Sequence, residues 1–375
     1  MEKEPLLQGL ELIPWENLEH AYGSARDVPD LLRNLLNPDP EVRKKTIRTL
    51  YANVFHQGTR YPATPYVVPF LIKMCASPEI YKRGDLLEYW ASLITGYFSI
   101  EERPCWGDGQ HIYFDDQVQA CDANDPYIVA LHQIYLESLK GHSLVCRLLA
   151  TDEDPDVRAQ AASVLACLRT MAEISAPRLE TQLQKEPSGQ VRAAITFALG
   201  ELNVPSPLWR ILTQEAFPAA RCMAACQLAR IDPTEALFQP LLQFICEPIK
   251  DYEQVPGAGG RSTGDAAFSI SRLPKEIACK AIPSILDRLD QARSFDTMPL
   301  VMALLAIAFT RREEPLTELT PLQKQVVTRM VRSDELWSIG NLYWTLKAHG
   351  LSSKREECAR LIGLNRDNTW LQEPR

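Results

Sequence analysis

The sequence predicts an all-α chain, an α-α superhelix of stacked helical hairpins, and three observations carry that reading. A polar turn with a proline, then a small aliphatic residue and an arginine, recurs at Pro40-Glu41-Val42-Arg43, Pro155-Asp156-Val157-Arg158, Pro187 to Val191-Arg192 and Pro218-Ala219-Ala220-Arg221. Self-similarity at the length of a helix pair marks repeat architectures. After Val191, residues Ala194, Ile195, Ala198, Leu199 and Leu202 fall on one helical face, and Ala161, Val164, Leu165 and Leu168 repeat that spacing after Val157. Small residues at Ala161-Ala162, Ala193-Ala194 and Ala224-Ala225 let neighbouring helices approach closely, so that successive hairpins share a core.

Taken in order, residues 1–78 read as an N-terminal helical cap and first repeat, with helices near 28–36, 40–54 and 64–76. Asp39 and Asp154, each just ahead of a proline, suit helix N-caps. The hairpin rhythm lapses over 79–143: a helix is expected at 85–97, then a loop insertion at about 99–125, where Pro104, Gly107, Gly109 and several Asp leave no period. Regular repeats follow over 144–247, with helices at 126–139 and 142–150 leading into 155–169, 190–202, 218–230 and 234–246. A Gly/Pro-containing loop at 248–264 reads as a flexible linker, and helical repeats with a cap close the chain over 265–375. The helices expected there are 265–272, 275–292, 297–312, 320–333, 335–349 and 352–363, with Trp337, Leu342, Trp344 and Leu346 as a bulky closing core.

Each repeated arginine sits in a first helical turn, where it opposes the helix dipole, so an acidic partner is expected, an Asp in the turn of a neighbouring repeat. Across 375 residues, 46% hydrophobic content is ample for a continuous core. The net charge of −8 has the wrong sign for generic nucleic-acid binding. The opening residues carry acids and early prolines where a secretory peptide needs a basic end and an apolar run, and Met298 to Phe309 is too short to cross a bilayer, so the expectation is a cytoplasmic chain with no membrane association. Cys75, Cys146, Cys167, Cys246, Cys279 and Cys358 are scattered singly on apolar helical stretches, as small hydrophobes of a reducing compartment.

The Asp-Pro-x-Val-Arg frame at Asp39 to Arg43 and Asp154 to Arg158 resembles the HEAT repeats, including the phycobilin-lyase-like subgroup. His20 to Pro29, His56 to Tyr61, Val68 to Leu71 and Gly340 to Leu351 look like a bacterial family of HEAT-repeat proteins. That resemblance implies a right-handed α-α superhelix, a HEAT-like solenoid, working through protein contacts, in some members as immunity proteins beside secreted toxins. It brings no catalytic residues.

Chemistry-bearing motifs are few. Gly259 and Gly264 have the spacing of a phosphate-binding loop, but Asp265 stands where its Lys belongs and Ala266 where its hydroxyl belongs. Cys105, His111, Asp115, Asp116 and Cys121 match no metal spacing, and Cys222 with Cys226 reads as core packing. No cofactor, metal or catalytic residue is therefore assigned. His56-Gln57-Gly58-Thr59-Arg60-Tyr61 is the most distinctive polar stretch: His56 and Gln57 are expected to bond the preceding helix end, with Gly58 as its left-handed C-cap. The candidate partner-binding residues are His56, Gln57, Arg60 and Tyr61, together with the aromatic anchors Trp106, Tyr113 and Phe114 of the insertion. A non-enzymatic protein binder, acting as adaptor, scaffold or inhibitor, is the function these features favour. The alternatives are a phycobilin-lyase-like chromophore handler, from the repeat resemblance, and a HEAT-like DNA glycosylase, from the basic turn Arg43, Lys44, Lys45 and Arg48.

Overall fold

A computed structural model of the chain describes residues 4–95, 126–312, 314–340 and 342–364. The chain is mostly helical, with two short strand pairs, and it divides into two compact units between Val204 and Pro205. Among the described residues no helix is long and apolar enough to cross a membrane.

The first unit begins with β1 (Glu19–His20) and β2 (Gly23–Ser24), then α1 (Val28–Asn34), α2 (Pro40–Asn53), β3 (Phe55–His56), β4 (Thr59–Arg60), α3 (Thr64–Ala76) and α4 (Arg83–Thr95). It continues with α5 (Pro126–Lys140), α6 (His142–Thr151), α7 (Pro155–Cys167), α8 (Ala172–Lys185) and α9 (Gly189–Glu201). Sequence neighbours pair as hairpins: α1 with α2, α3 with α4, α6 with α7, and α8 with α9. Helix α7 lies between α4 and α9. That position explains its composition, because Ala159, Ala161, Ala162, Val164, Leu165 and Ala166 are buried all around it and only small side chains let two helices approach from opposite sides. Full burial of each Val or Leu in this row stabilises by about 1.5–3 kcal/mol.

The second unit holds α10 (Pro205–Gln214), α11 (Pro218–Ile231), α12 (Phe238–Cys246), α13 (Ser262–Ile270), α14 (Lys275–Ala278), α15 (Ile282–Gln291) and α16 (Thr297–Ala308). After these come α17 (Pro321–Arg332), α18 (Asp334–Trp337), α19 (Leu342–Lys347) and α20 (Arg355–Leu361). Pairs α10 with α11, α12 with α13 and α15 with α16 pack together, and α13 lies between α11 and α16.

Several expectations are corrected. Helices α8 and α10 occupy stretches for which the sequence pattern predicts none, Pro177 lying inside α8 and Pro205 and Pro207 in the first turn of α10. Helix α13 begins at Ser262, so Ser262, Thr263 and Gly264 are buried helix and not linker; Ser262 Oγ accepts the Ile249 N–H at 2.9 Å and Asp265 Oδ2 the Gly259 N–H at 3.0 Å. The helix expected over 335–349 is two short ones. Trp344 is 63% exposed, because α19 buries the face of Leu342, Thr345 and Leu346 and Trp344 lies on the other. Cys246, the last residue of α12, is exposed, and Cys279 is half-buried.

Candidate functional site

Three of the four repeated turns share one construction, and the fourth departs from it, with Arg221 donating Nε–H to the Leu212 carbonyl and Phe217 giving no side-chain cap. A residue just past one helix caps the approach to the next, and an arginine six positions on reaches back to it: Asn37 with Arg43, Asp152 with Arg158, Glu186 with Arg192. Asn37 Oδ1 accepts the Asp39 N–H at 2.9 Å, Asp152 Oδ1 the Asp154 N–H at 3.2 Å and Glu186 Oε1 the Ser188 N–H at 3.0 Å. Asp39 and Asp154 then cap α2 and α7 by accepting from Glu41 and Asp156, both at 2.9 Å. Arg43 donates Nη1–H to the Asn37 and Pro38 carbonyls, Arg158 to those of Asp152 and Glu153, and Arg192 to those of Leu183 and Glu186. The arginine therefore satisfies helix-end and turn carbonyls that have no partner in the ladder of their own helix.

The acidic partner expected in the next turn is present for Arg158, and it is a Glu where an Asp was expected. Arg158 makes a two-point fork with Glu186, Nε to Oε2 at 2.9 Å and Nη2 to Oε1 at 2.7 Å. Arg83, six positions after Ser77, bridges Asp152 at 2.8 Å. Burial raises the proton affinity of Glu186, but hydrogen bonds from Arg158, Gln182 and the Ser188 N–H, with the Arg158 charge, outweigh it and hold the carboxyl below its ordinary range.

Beside the first of these turns lies a cleft of about 510 Å³, lined by Leu6, Leu35, Leu36, Pro38, Ile80 and Tyr81, with Asn37, Arg43, Ser77 and Glu79 among its polar groups. Tyr81 is 60% exposed, and the Arg43 guanidinium lies 4.8 Å from its ring centroid. A second cleft, of about 500 Å³, shares Glu79, Ile80 and Tyr81 with the first and is lined also by Lys82, Arg83, Asp85, Asp154 and Asp156. Burial, then the charges of Asp154 and Asp85, raise the pKa of Asp156 against the opposing Lys82. Tyr81 thus lines both a largely apolar cleft that holds Arg43 and Glu79 and a cleft in which acids outnumber bases.

The residues singled out from sequence are distributed differently. His56 Nδ1–H donates to the Ala52 carbonyl at 3.0 Å, and the His56 ring stacks edge-on at 5.6 Å against exposed Tyr22. Gln57 and Gly58, with φ of 49° and 85°, form the two-residue turn between β3 and β4, so Gly58 turns a hairpin and does not cap α2. Arg60 is 5% exposed: Nε donates to the Leu93 carbonyl at 3.1 Å and Nη1 to that of Gly58 at 2.7 Å, which turns the side chain inward and away from any partner. Tyr61 is half-buried. Trp106, Tyr113 and Phe114, with the cluster Cys105, His111, Asp115, Asp116 and Cys121, lie outside the described residues. Cys222 and Cys226 are buried against Tyr252 and Met223. Among the described residues no group of three His, Cys, Asp or Glu side chains could hold a metal.

Ser77 and Tyr81 fall where the helical rhythm lapses; the six-residue spacing to Arg83 marks Ser77 as a turn residue, and no spacing marks Tyr81. No family model matches the chain, and no curated protein matches it.

Proposed function

We propose that this chain is a protein-binding repeat protein, a right-handed α-α superhelix of HEAT-like hairpins that serves as an adaptor, scaffold or inhibitor and not as an enzyme. Tyr81 carries this reading. A large aromatic side chain at 60% exposure, lining both a largely apolar cleft and a cleft rich in acids, has the shape and chemistry of an interface anchor. The recurring turns support a repeat architecture, since each presents the same helix-end chemistry along one edge of the hairpins. An immunity-type inhibitor is one form of that role.

Affinity purification of the native chain from its own cells at moderate salt, with mass spectrometry of what it retains, tests the proposal. The expected result is one stoichiometric protein, lost when Tyr81→Ala is used as bait while the melting curve is unchanged. Recovery of nucleic acid with steep salt dependence, or of a coloured ligand, would overturn it.

A further inference from the structure

Successive turns form a ladder in which the arginine of one turn reaches the residue that ends the helix before the next. Arg83 reaches Asp152, which follows α6, and Arg158 reaches Glu186, which follows α8. Arg43 begins the same ladder, and the residue in the corresponding place, ending α3, is Ser77. Ser77 has the extended backbone of its counterparts, φ −93° and ψ 117° against −73° and 118° at Glu186, but carries no charge. Its Oγ is buried and has no hydrogen-bond partner among the described residues, and the residue is 7% exposed. Among the described residues Arg43 bonds only through Nη1, to two carbonyls, whereas Arg158 also spends Nε and Nη2 on a carboxylate. Ser77 and Arg43 both line the 510 Å³ cleft.

We propose that this cleft is a binding site for a carboxylate on a partner polypeptide, flanked by an apolar side chain, which pairs with the free fork of Arg43 as Glu186 pairs with Arg158. The internal copies define the chemistry: two parallel N–H···O bonds from a guanidinium are specific for a planar two-oxygen acceptor. Leu6, Leu36 and Ile80 supply the apolar flank, and the Tyr81 ring lies against the guanidinium. Glu79 also lines the cleft; it is exposed and makes no ion pair with Arg43, so its charge opposes the incoming carboxylate. The site rests on the protein-binding reading and names the feature it recognises.

The probes are the blocked peptide Ac-Ala-Leu-Glu-Leu-Ala-NH2, its Gln twin, and Ac-Ala-Leu-Leu with a free or an amidated C-terminus, titrated while the proton–nitrogen resonance of Arg43 Nε is followed. The expected result is a saturable shift with the Glu peptide or the free terminus, weakened about tenfold or more in the uncharged twin. Which of the two binds tells a side-chain carboxylate from a terminal one. Ser77→Asp, which supplies the carboxylate from within the chain as Asp152 does, should abolish the shift and raise Tm. Glu79→Gln should tighten binding. If Ser77→Asp fails to fold, Arg43→Lys, which keeps the charge and loses the fork, should weaken the Glu peptide about tenfold or more when binding is followed through the backbone amide resonances of Ser77 and Tyr81 instead. Equal binding of charged and uncharged peptides, no binding at about ten times a millimolar Kd, or full binding to a folded Ser77→Asp would overturn the site. Peptide binding without any captured protein would sink the functional reading alone; a captured protein released by Tyr81→Ala, with no peptide response, would sink the carboxylate site alone.

Discussion

Glu186 shows how a single side chain joins two repeats. It is buried and accepts from Arg158, Gln182 and the Ser188 N–H, so truncation leaves a guanidinium at low exposure without the carboxylate it forks onto. Glu186→Ala should cost about 3–5 kcal/mol in urea unfolding, the loss typical of one partner removed from a buried pair. Its folded pKa lies below the ordinary 4.5, so its stabilisation is complete above that value and fades as pH falls through the folded pKa. Asp156 has the opposite sign. With its pKa raised from 3.8, the ionised form is disfavoured in the folded state, and stability is lost as pH rises between the two values. Asp156→Asn should therefore raise Tm at pH 7 and lose that advantage below about pH 3.8, a comparison thermal melts at both pH values would make. Burial likewise pushes the Cys75 thiol up to about 12, so site-resolved alkylation of the native protein at pH 8 should modify exposed Cys246 well before Cys75.

At the scale of elements, close approach decides which residues are tolerated. Gly141 stands at the start of α6, where an added Cβ would lie 2.3 Å from Cη2 of Trp90. That indole is fully buried on α4 and donates to Ser138 Oγ of α5 at 2.8 Å, so it has little room to give. Gly141→Ala should destabilise by about 1–3 kcal/mol, the usual cost of overpacking, measured by the shift of the urea midpoint. Helices with a clean apolar period and a capped start, such as α2, α7 and α9, were legible in the sequence to within a few residues. Prolines hid α8 and α10, because Pro177 and Pro205 signal breaks locally while packing on α9 and α11 sustains a helix. The buried start of α13 was hidden for a similar reason: Gly264 lowers helix propensity, and only the bonds from Asp265 and Ser262 back into the preceding loop fix it. The cleft around Tyr81 was illegible because its character depends on what Ser77 lacks relative to Asp152 and Glu186, a comparison available only once the turns are superposed in space.

For the whole molecule, the central claim is that it works by gripping another protein at the first-unit cleft. Two exposed aromatic sites make that claim testable against a rival surface: Tyr81 in the first unit, and Trp344, whose ring lies 4.8 Å edge-on from Tyr343, in the second. Calorimetric Kd values for the purified partner against the native chain, Tyr81→Ala and Trp344→Ala are the most direct measurement. The account predicts that Tyr81→Ala weakens binding by about 30-fold, corresponding to the ~2 kcal/mol of a hot-spot residue, and that Trp344→Ala leaves it unchanged. Loss of binding in Trp344→Ala with a native Kd for Tyr81→Ala would contradict it.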